Sequence, residues 1–590
     1  MKQFFGAFFG SILGIIIAVL LSVLILVAVV KSSISSAFNS DKADISLVKG
    51  KSVIKIVLSG KLYEREKENP FKELGDLGPL TAKEGLGLNS LAKKLKAAKI
   101  DEDVKGIYLS VKDMEAGFAG IEELRDLLAD FKTSGKFIYC YSENYSQKEY
   151  YLASVASKVY LNPQGGMDWR GLGMNLLFFK NTLEKLEVDM QVFRHGKFKS
   201  AVEPFMYDKM SQSNRLQSET FLNSIWNTML KGISKQRGMS VQQLNDLANS
   251  LSIRFPEDAL KYKLVDATEY EDEVISQIKK KLGMKESEKM KFVELDKYEG
   301  KMDLKLNAEK IAVIYATGGI SGGEGDDDEI GSDRLAKTIR EARTNNKIKA
   351  IVLRVNSPGG SALASDVIWR EMLLAKAAKP TIVSMGDYAA SGGYYISCAA
   401  DHIFAQPNTI TGSIGVFGII PNIQKMLQSK LGITVDTVNT NKYSDMGGLR
   451  PLTPVEYNFI QTSVEKVYDT FTKRVAEGRK MTQAEVDSIG QGRVWTGTDA
   501  LSINLIDELG GLNDAIAYAA KKANLKDYKI TELPLQKGPL DGLLGKKESE
   551  LESRIMQNNL GPLYTYFKQV QSLLRLQGVQ ARMPFELMVN

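Results

Sequence analysis

The chain has 590 residues, more than one hydrophobic core usually organises, so roughly two to four domains are expected. Its 44% apolar and 25% charged residues exclude an extended disordered chain, and a net charge of +6 from 77 basic and 71 acidic side chains leaves no electrostatic footprint for nucleic acid. With two histidines, His195 and His402, a histidine-rich metal site is excluded, and any hydrolase built on this chain has reason to use lysine as its base.

From Phe4 to Val30 no residue is charged, and this run exceeds the roughly 20 residues that cross a bilayer core as a helix. A cleavable signal peptide has a shorter apolar core with a small-residue cleavage site close behind it, whereas this run ends in Lys31 and SSISS. An uncleaved anchor over residues 1–35 is expected, with membrane lipid as its partner. Lys2 stands on one side of the run and Lys31, Lys42 and Lys49 on the other, so the basic residues leave its orientation open. No second run approaches this length, and everything that follows reads as one soluble body.

That body contains an internal repeat. DVKGIYLSV (residues 103–111) matches KIKAIVLRV (residues 347–355), and Tyr150, Tyr151, Ala156 and Pro163 fall opposite Tyr394, Tyr395, Ala400 and Pro407. EDALKYKLVD (residues 257–266) matches TDALSINLID (residues 498–507) after a short gap. Each copy opens on an apolar β-rich run, residues 53–58 or 311–315, and continues helix, strand, helix, strand. This order predicts an α/β fold with a mostly parallel, buried sheet in each half. The charged stretch 283–307 reads as a connector, placing the boundary near residue 300, and the acidic stretch 322–333 reads as a solvated or mobile loop. Cys140 and Cys398 lie in apolar runs without metal or redox spacing and are expected as buried thiols.

The copies differ in two loops. After its second strand the C-terminal copy has Asn356, Ser357, Pro358, Gly359 and Gly360, where the N-terminal copy has Lys112 to Ala116. After its third strand it has Ser391, Gly392 and Gly393, with Gln147 and Lys148 opposite the first two. A Pro-Gly-Gly turn can bring backbone N–H groups to a substrate carbonyl, and a serine opening a helix presents its hydroxyl. The pattern suggests an oxyanion hole beside a nucleophile; ordinary strand-to-helix turns use the same residues for backbone reasons. In the N-terminal copy, RHGKFKSAVEPF carries Lys197 and Lys199 around Phe198. A lysine titrating near 10.4 becomes a base near neutrality only in an apolar, water-poor setting, and a solvated loop pair is the plainer reading of the string alone.

Taken together, the anchor, the repeat, GKFKSAVEPF, VNSPGG, GDYAASGGYYIS, TITGSIGV and GRVWTG resemble the long, two-domain form of the signal peptide peptidase A (protease IV) family over nearly the whole chain. The resemblance implies tandem duplicated Clp protease/crotonase-like domains: an N-terminal domain over 50–300 supplying the lysine, a C-terminal domain over 301–540 supplying the serine, and a tail over 541–590. It implies a serine endopeptidase with a Ser/Lys dyad, acting on cleaved signal peptides and other apolar peptides without a cofactor or metal. On the matching motifs the nucleophile falls on Ser391, the base on Lys199, the oxyanion donors on Gly359, Gly360 and backbone near Ser391 and Gly392, and the lysine-orienting hydroxyl on Ser413. It further implies a homotetramer in the bacterial cytoplasmic membrane with its catalytic body on the outer, periplasmic side. Single-domain relatives place the lysine near Tyr443, which makes Lys442 the rival base, with His195 and His402 as further contenders. A catalytically idle membrane scaffold and a crotonase-like acyl-CoA hydrolase or isomerase are the competing functions.

Overall fold

Uninterrupted apolar runs become strands buried on both faces when helices cover the sheet from either side. Ile107, Tyr108 and Leu109 in one half, and Ile351, Val352 and Leu353 in the other, are all 0% exposed. The computed structural model describes residues 50–66, 85–300, 308–536 and 579–583, so the expected anchor over 1–35 and nearly all of the tail after 540 lie outside the described residues. Among the described residues no helix is long and apolar enough to cross a membrane.

Strands are numbered along the chain. In the first half, β1 (Ser52–Tyr63), β2 (Leu86–Gly87), β3 (Val104–Glu115), β4 (Phe137–Tyr145), β5 (Lys158–Met167), β7 (Ala267–Thr268) and β8 (Phe292–Glu294) form a seven-stranded sheet with only parallel pairings. In the second, β9 (Glu309–Thr317), β12 (Ile348–Ser357), β14 (Thr381–Ala390), β15 (His402–Ala405), β16 (Ile410–Gly412), β18 (Val494–Thr496), β19 (Glu508–Leu509) and β20 (Tyr528–Leu533) form an eight-stranded sheet, parallel except at β18. A third, six-stranded sheet belongs to both halves. There β6 (Asp189–His195) pairs antiparallel with β17 (Val416–Asn422), and the order continues through β21 (Gln580–Arg582), β13 (Gly359–Ser361), β10 (Gly319–Ser321) and β11 (Glu329–Gly331).

The repeat extends to individual hydrogen bonds. Tyr150 donates to the Leu264 carbonyl and Tyr394 to that of Leu505, each at 2.8 Å. The Asp266 carboxylate accepts from the Val159 amide and from Arg237, and Asp507 accepts from Ile403 and Arg479 in the same way. The chain is a tandem α/β duplication. Two expectations need correction. Part of the stretch read as a connector is β8, which adds to the first sheet beside residues 53–55. Part of the acidic stretch is β11, which pairs with β10, while Arg334 holds Asp327 at 2.8 Å.

A buried charge cluster also joins the halves. Arg354 of β12 is 1% exposed and donates to Glu64 at 2.7 Å and to Glu123 at 2.6 Å, both from the first half. The Glu64 carboxylate also accepts from Asn356, and Glu123 accepts from the Leu512 amide. Asp387, at the end of β14, accepts from the Ala119 and Gly120 amides that open the helix Phe118–Lys132. Removing one member of such a cluster strands the others without water. Arg354→Met is expected to destabilise the chain by about 3–5 kcal/mol, seen as a lower urea midpoint. The triple variant Arg354→Met, Glu64→Gln, Glu123→Gln is expected to recover most of the loss.

Candidate active site

At the end of β14 the chain turns through Ser391, whose φ of 54° and ψ of −113° lie outside the regions a side chain favours. Such backbone costs about 1–3 kcal/mol and persists where its surroundings hold it. Here the Ser391 amide donates to the Gly412 carbonyl and its carbonyl accepts from Tyr395, each at 2.8 Å. The serine thus opens the helix Gly392–Ser397 with its hydroxyl aimed at the junction of the two halves.

Lys199 arrives from the other half. The register from Asp189–Asn422 to His195–Val416 fixes β6 against β17, and the lysine follows four residues beyond that strand. Its segment is clamped: Phe198 donates to the Gln491 carbonyl at 2.9 Å, and Gln217 donates to the Phe198 carbonyl at 3.0 Å and to Ser200 Oγ at 2.8 Å. Gly492, at φ +83°, closes the other side, and a Cβ there would stand 2.6 Å from the Lys199 backbone. The lysine is fully buried, and its Nζ lies 2.9 Å from Ser391 Oγ, 3.0 Å from Ser413 Oγ and 3.1 Å from the Ser413 carbonyl. Burial alone holds its pKa well below the ordinary lysine range, because no carboxylate acts on it to stabilise the ammonium.

The structure therefore brings together Lys199, Ser391 and Ser413. Gly359, at φ +98°, packs against Gly392: a Cβ on the first would stand 2.7 Å from the amide nitrogen of the second. The amides are not equivalent, since that of Gly359 is engaged with Ser357 Oγ at 3.2 Å and that of Ser391 with Gly412. The strand β21 runs antiparallel along Gly359–Ser361. The rival bases stand elsewhere. Lys197 is exposed beside the Phe198 ring, and Lys442 is exposed beside Tyr443. His195 stacks on Tyr468 and bonds Glu465, while His402 stacks on Tyr518 with Glu508 at 3.3 Å. Cys140 and Cys398 are buried free thiols. Among the described residues no group of His, Cys, Asp and Glu is arranged to hold a metal ion.

In the first half a glutamine stands at the equivalent place, on the wall of an open cavity that Asp113, Lys148 and Arg170 also line. Gln147, opposite Ser391, accepts from the Arg170 and Gly171 amides and donates to the Gly171 carbonyl at 2.9 Å. Gly171 is the counterpart of Gly415, whose carbonyl lies 3.4 Å from Ser391 Oγ.

The model of peptidase family S49 matches residues 130–285 and 374–526. The chain belongs to peptidase family S49. It is a serine peptidase, and its two matched segments fall one in each half of the duplication, while the Clp protease family model matches residues 310–411. Among its relatives, Protease 4 of Salmonella typhi is 39% identical over 81% of this chain and 79% of the relative. The chloroplastic serine protease SPPA of Arabidopsis thaliana is 35% identical over 85% of this chain and 74% of the relative. A solved mutant of ClpP1 from Listeria monocytogenes is 14% identical with a TM-score of 0.24, covering 35% of this chain and 94% of its own. The two halves are tandem duplicated Clp protease-like domains.

The positioning residues Gln217 and Gly492 were not singled out in the sequence; only the glycine that opens GRVWTG hinted at a close approach. Gly492→Ala is expected to push the Lys199 backbone aside. A misplacement of about 1 Å can lower turnover about 100-fold, read as a fall in kcat for peptide hydrolysis with thermal stability measured alongside.

Proposed function

We propose that Ser391 is the nucleophile and Lys199 the general base of a membrane-anchored endopeptidase that hydrolyses cleaved signal peptides and other apolar peptides. The observation that carries this reading is the 2.9 Å approach of a fully buried, unpaired lysine amine to Ser391 Oγ. As a neutral amine, Lys199 donates to the Ser413 hydroxyl and carbonyl and keeps its lone pair toward Ser391. It takes the Ser391 proton as the hydroxyl attacks a peptide carbonyl, then returns a proton to the leaving amine. Water activated by the same lysine hydrolyses the acyl-enzyme. The amides of Gly360 and Gly392 are the oxyanion donors, a contribution of about 3–4 kcal/mol each in a well-measured comparable case; Gly359 supplies the close approach. Domain boundaries at 50–300 and 301–540 assign the base to one half and the nucleophile to the other.

An extended peptide fits this cleft because β13 and β17 leave between them the width of one strand. That geometry, with an uncharged run at residues 4–30, supports an enzyme working on unfolded apolar segments at a membrane. The location read from the resemblance is the bacterial cytoplasmic membrane, with the catalytic body on the periplasmic side. Homotetramer formation is supported by an exposed apolar stretch that includes Leu431, Ile433, Val438 (99% exposed) and Phe459 (64% exposed).

Ser391→Ala and Lys199→Met are expected to remove peptide hydrolysis, the latter by about 10²–10⁴-fold in kcat, while Lys442→Ala, His195→Gln and His402→Gln retain it. Activity retained in Lys199→Met and lost in Lys442→Ala would move the base into the second half. Because the reactive form is the free amine and burial lowers its pKa, kcat/KM is expected to rise with pH through that lowered value, well below the ordinary lysine range. An acid limb placed in the ordinary lysine range would contradict a desolvated base.

A further inference from the structure

The first half opens at Gly50, and the next side chain is used at once: Lys51 Nζ donates to the Leu282 carbonyl at 2.6 Å, at the last turn of the helix Glu271–Leu282. That turn carries Lys279, Lys280 and Lys281, and the segment continuing from it adds Lys285, Lys289 and Lys291. The acids of the helix, Glu271, Asp272 and Glu273, stand at its far end, in the first turn. Met284, Met290 and Phe292 hold the segment down by packing on a buried cluster that includes Leu282 of the helix and Val53 of β1. Its own two acids are engaged locally. Glu286 accepts from Ser276 Oγ at 2.6 Å and pairs with Lys279 at 3.7 Å, and Glu288 accepts from the Lys285 amide at 3.0 Å. The acidic turn Glu102–Asp103 reaches this region where the Asp103 carbonyl accepts from the Ser52 amide, and Lys105 folds back onto it. Lys280, Lys281, Lys285, Lys289 and Lys291 are all exposed, and among the described residues none of them has an ion-pair or hydrogen-bond partner for its ammonium group.

We propose that this lysine face is a docking surface for a bilayer carrying anionic headgroups, and that it holds the first half against the same membrane that the uncharged run at residues 4–30 enters. This rests on the membrane-anchored reading given above. Two observations choose a bilayer as the occupant. The face lies where the chain arrives from the uncharged run, since Lys51 is itself bonded to the end of the helix that carries the lysines. Each ammonium also stands exposed on a flexible stem, which suits many headgroups that shift under the protein more than one ligand fixed in a cleft. Clustered lysines beside a spanning segment are drawn to an anionic lipid surface, and the attraction acts within a Debye length of it. A single tether leaves the body free to tumble over the bilayer. A second contact at the lysine face fixes which side of the body meets the lipid.

The test is acetylation of lysines, read residue by residue by mass spectrometry, on the full-length chain reconstituted into vesicles of phosphatidylcholine or of equal parts phosphatidylcholine and phosphatidylglycerol. Lys347 and Lys473, exposed on the second half, are the internal reference. The expected result is acetylation of Lys280, Lys281, Lys285, Lys289 and Lys291 slowed about fivefold in the anionic vesicles, the factor that the attraction of one lysine to such a surface supplies. The reference lysines keep their rates, and high salt erases the difference. The combined variant Lys280→Gln, Lys281→Gln, Lys285→Gln, Lys289→Gln is expected to lose the protection of Lys291 while hydrolysing an added peptide in detergent as the wild type does. Equal rates in both vesicles, or a slowing shared by the reference lysines, in a chain that stays with the vesicles through an alkaline wash, overturns the proposal and leaves the anchored reading standing. Protection of Lys291 that persists in the combined variant overturns it as well. A chain that leaves the vesicles in that wash removes the anchored reading and this proposal with it.

Discussion

A lysine can take a proton near neutral pH only where water is kept from its ammonium form, and the full burial of Lys199 between the two halves meets that requirement. Lys199 has no carboxylate to offset its burial, so the neutral amine is the form the site favours. Its hydrogen-bonding capacity is met by two serines, Ser391 and Ser413, both carried by the other half. On the proposed reading, a base delivered in this way works only while the halves stay docked. The shared sheet through β6 and β17 provides the docking near the site, and the buried Arg354 cluster provides it farther away. The second contact is charged for a reason of geometry. Arg354 reaches Glu64 and Glu123 with separate nitrogens, which fixes two elements of the first half relative to one strand of the second.

Duplication explains how such an assembly divides its work. Both copies keep the scaffold bonds, Tyr150 to Leu264 and Tyr394 to Leu505, because those hold a helix to the loop that leads into the next strand whatever the site does. Only the second copy has a hydroxyl at the position of Ser391; the first has Gln147 there, with its helix-capping hydroxyl, Ser146, one residue earlier. In the first copy, Gln147 satisfies the amides of Arg170 and Gly171 with its own side chain, so a structural joint stands where the second copy has its serine. On the proposed reading the first half contributes through the stretch after β6, which carries Lys199 to the serines of the second.

Much of this was legible in the sequence where a signal is local. The long parallel strands announce themselves as unbroken apolar runs, the repeat shows in matched strings, and Ser391 stands out because its copy differs there. The choice between Lys197 and Lys199 is not local. One is exposed and one buried because Gln491 and Gly492, far away in the chain, and Gln217 on a following helix close over the second and not the first. The three-residue strands β8, β11, β13 and β21 were invisible for a related reason: they are too short to carry an alternating pattern, and they exist only because a neighbour pairs with them. Arg354 likewise reads as a polar intrusion in an apolar strand until its two glutamates are placed beside it.

On the proposed reading, the slot between β13 and β17 holds a peptide mainly through main-chain hydrogen bonds, as it holds β21, and this limits what the site can sense of a sequence. A strand turns successive side chains to opposite faces, so residues in the register of Val579, Ala581 and Met583 meet one set of walls while their neighbours meet another. The site therefore samples a sequence at every second position on each face. A peptide is recognised less by what it spells than by whether it can lie flat, and a proline or a bulky side chain at one register position is a stronger veto than any single favourable residue is an invitation.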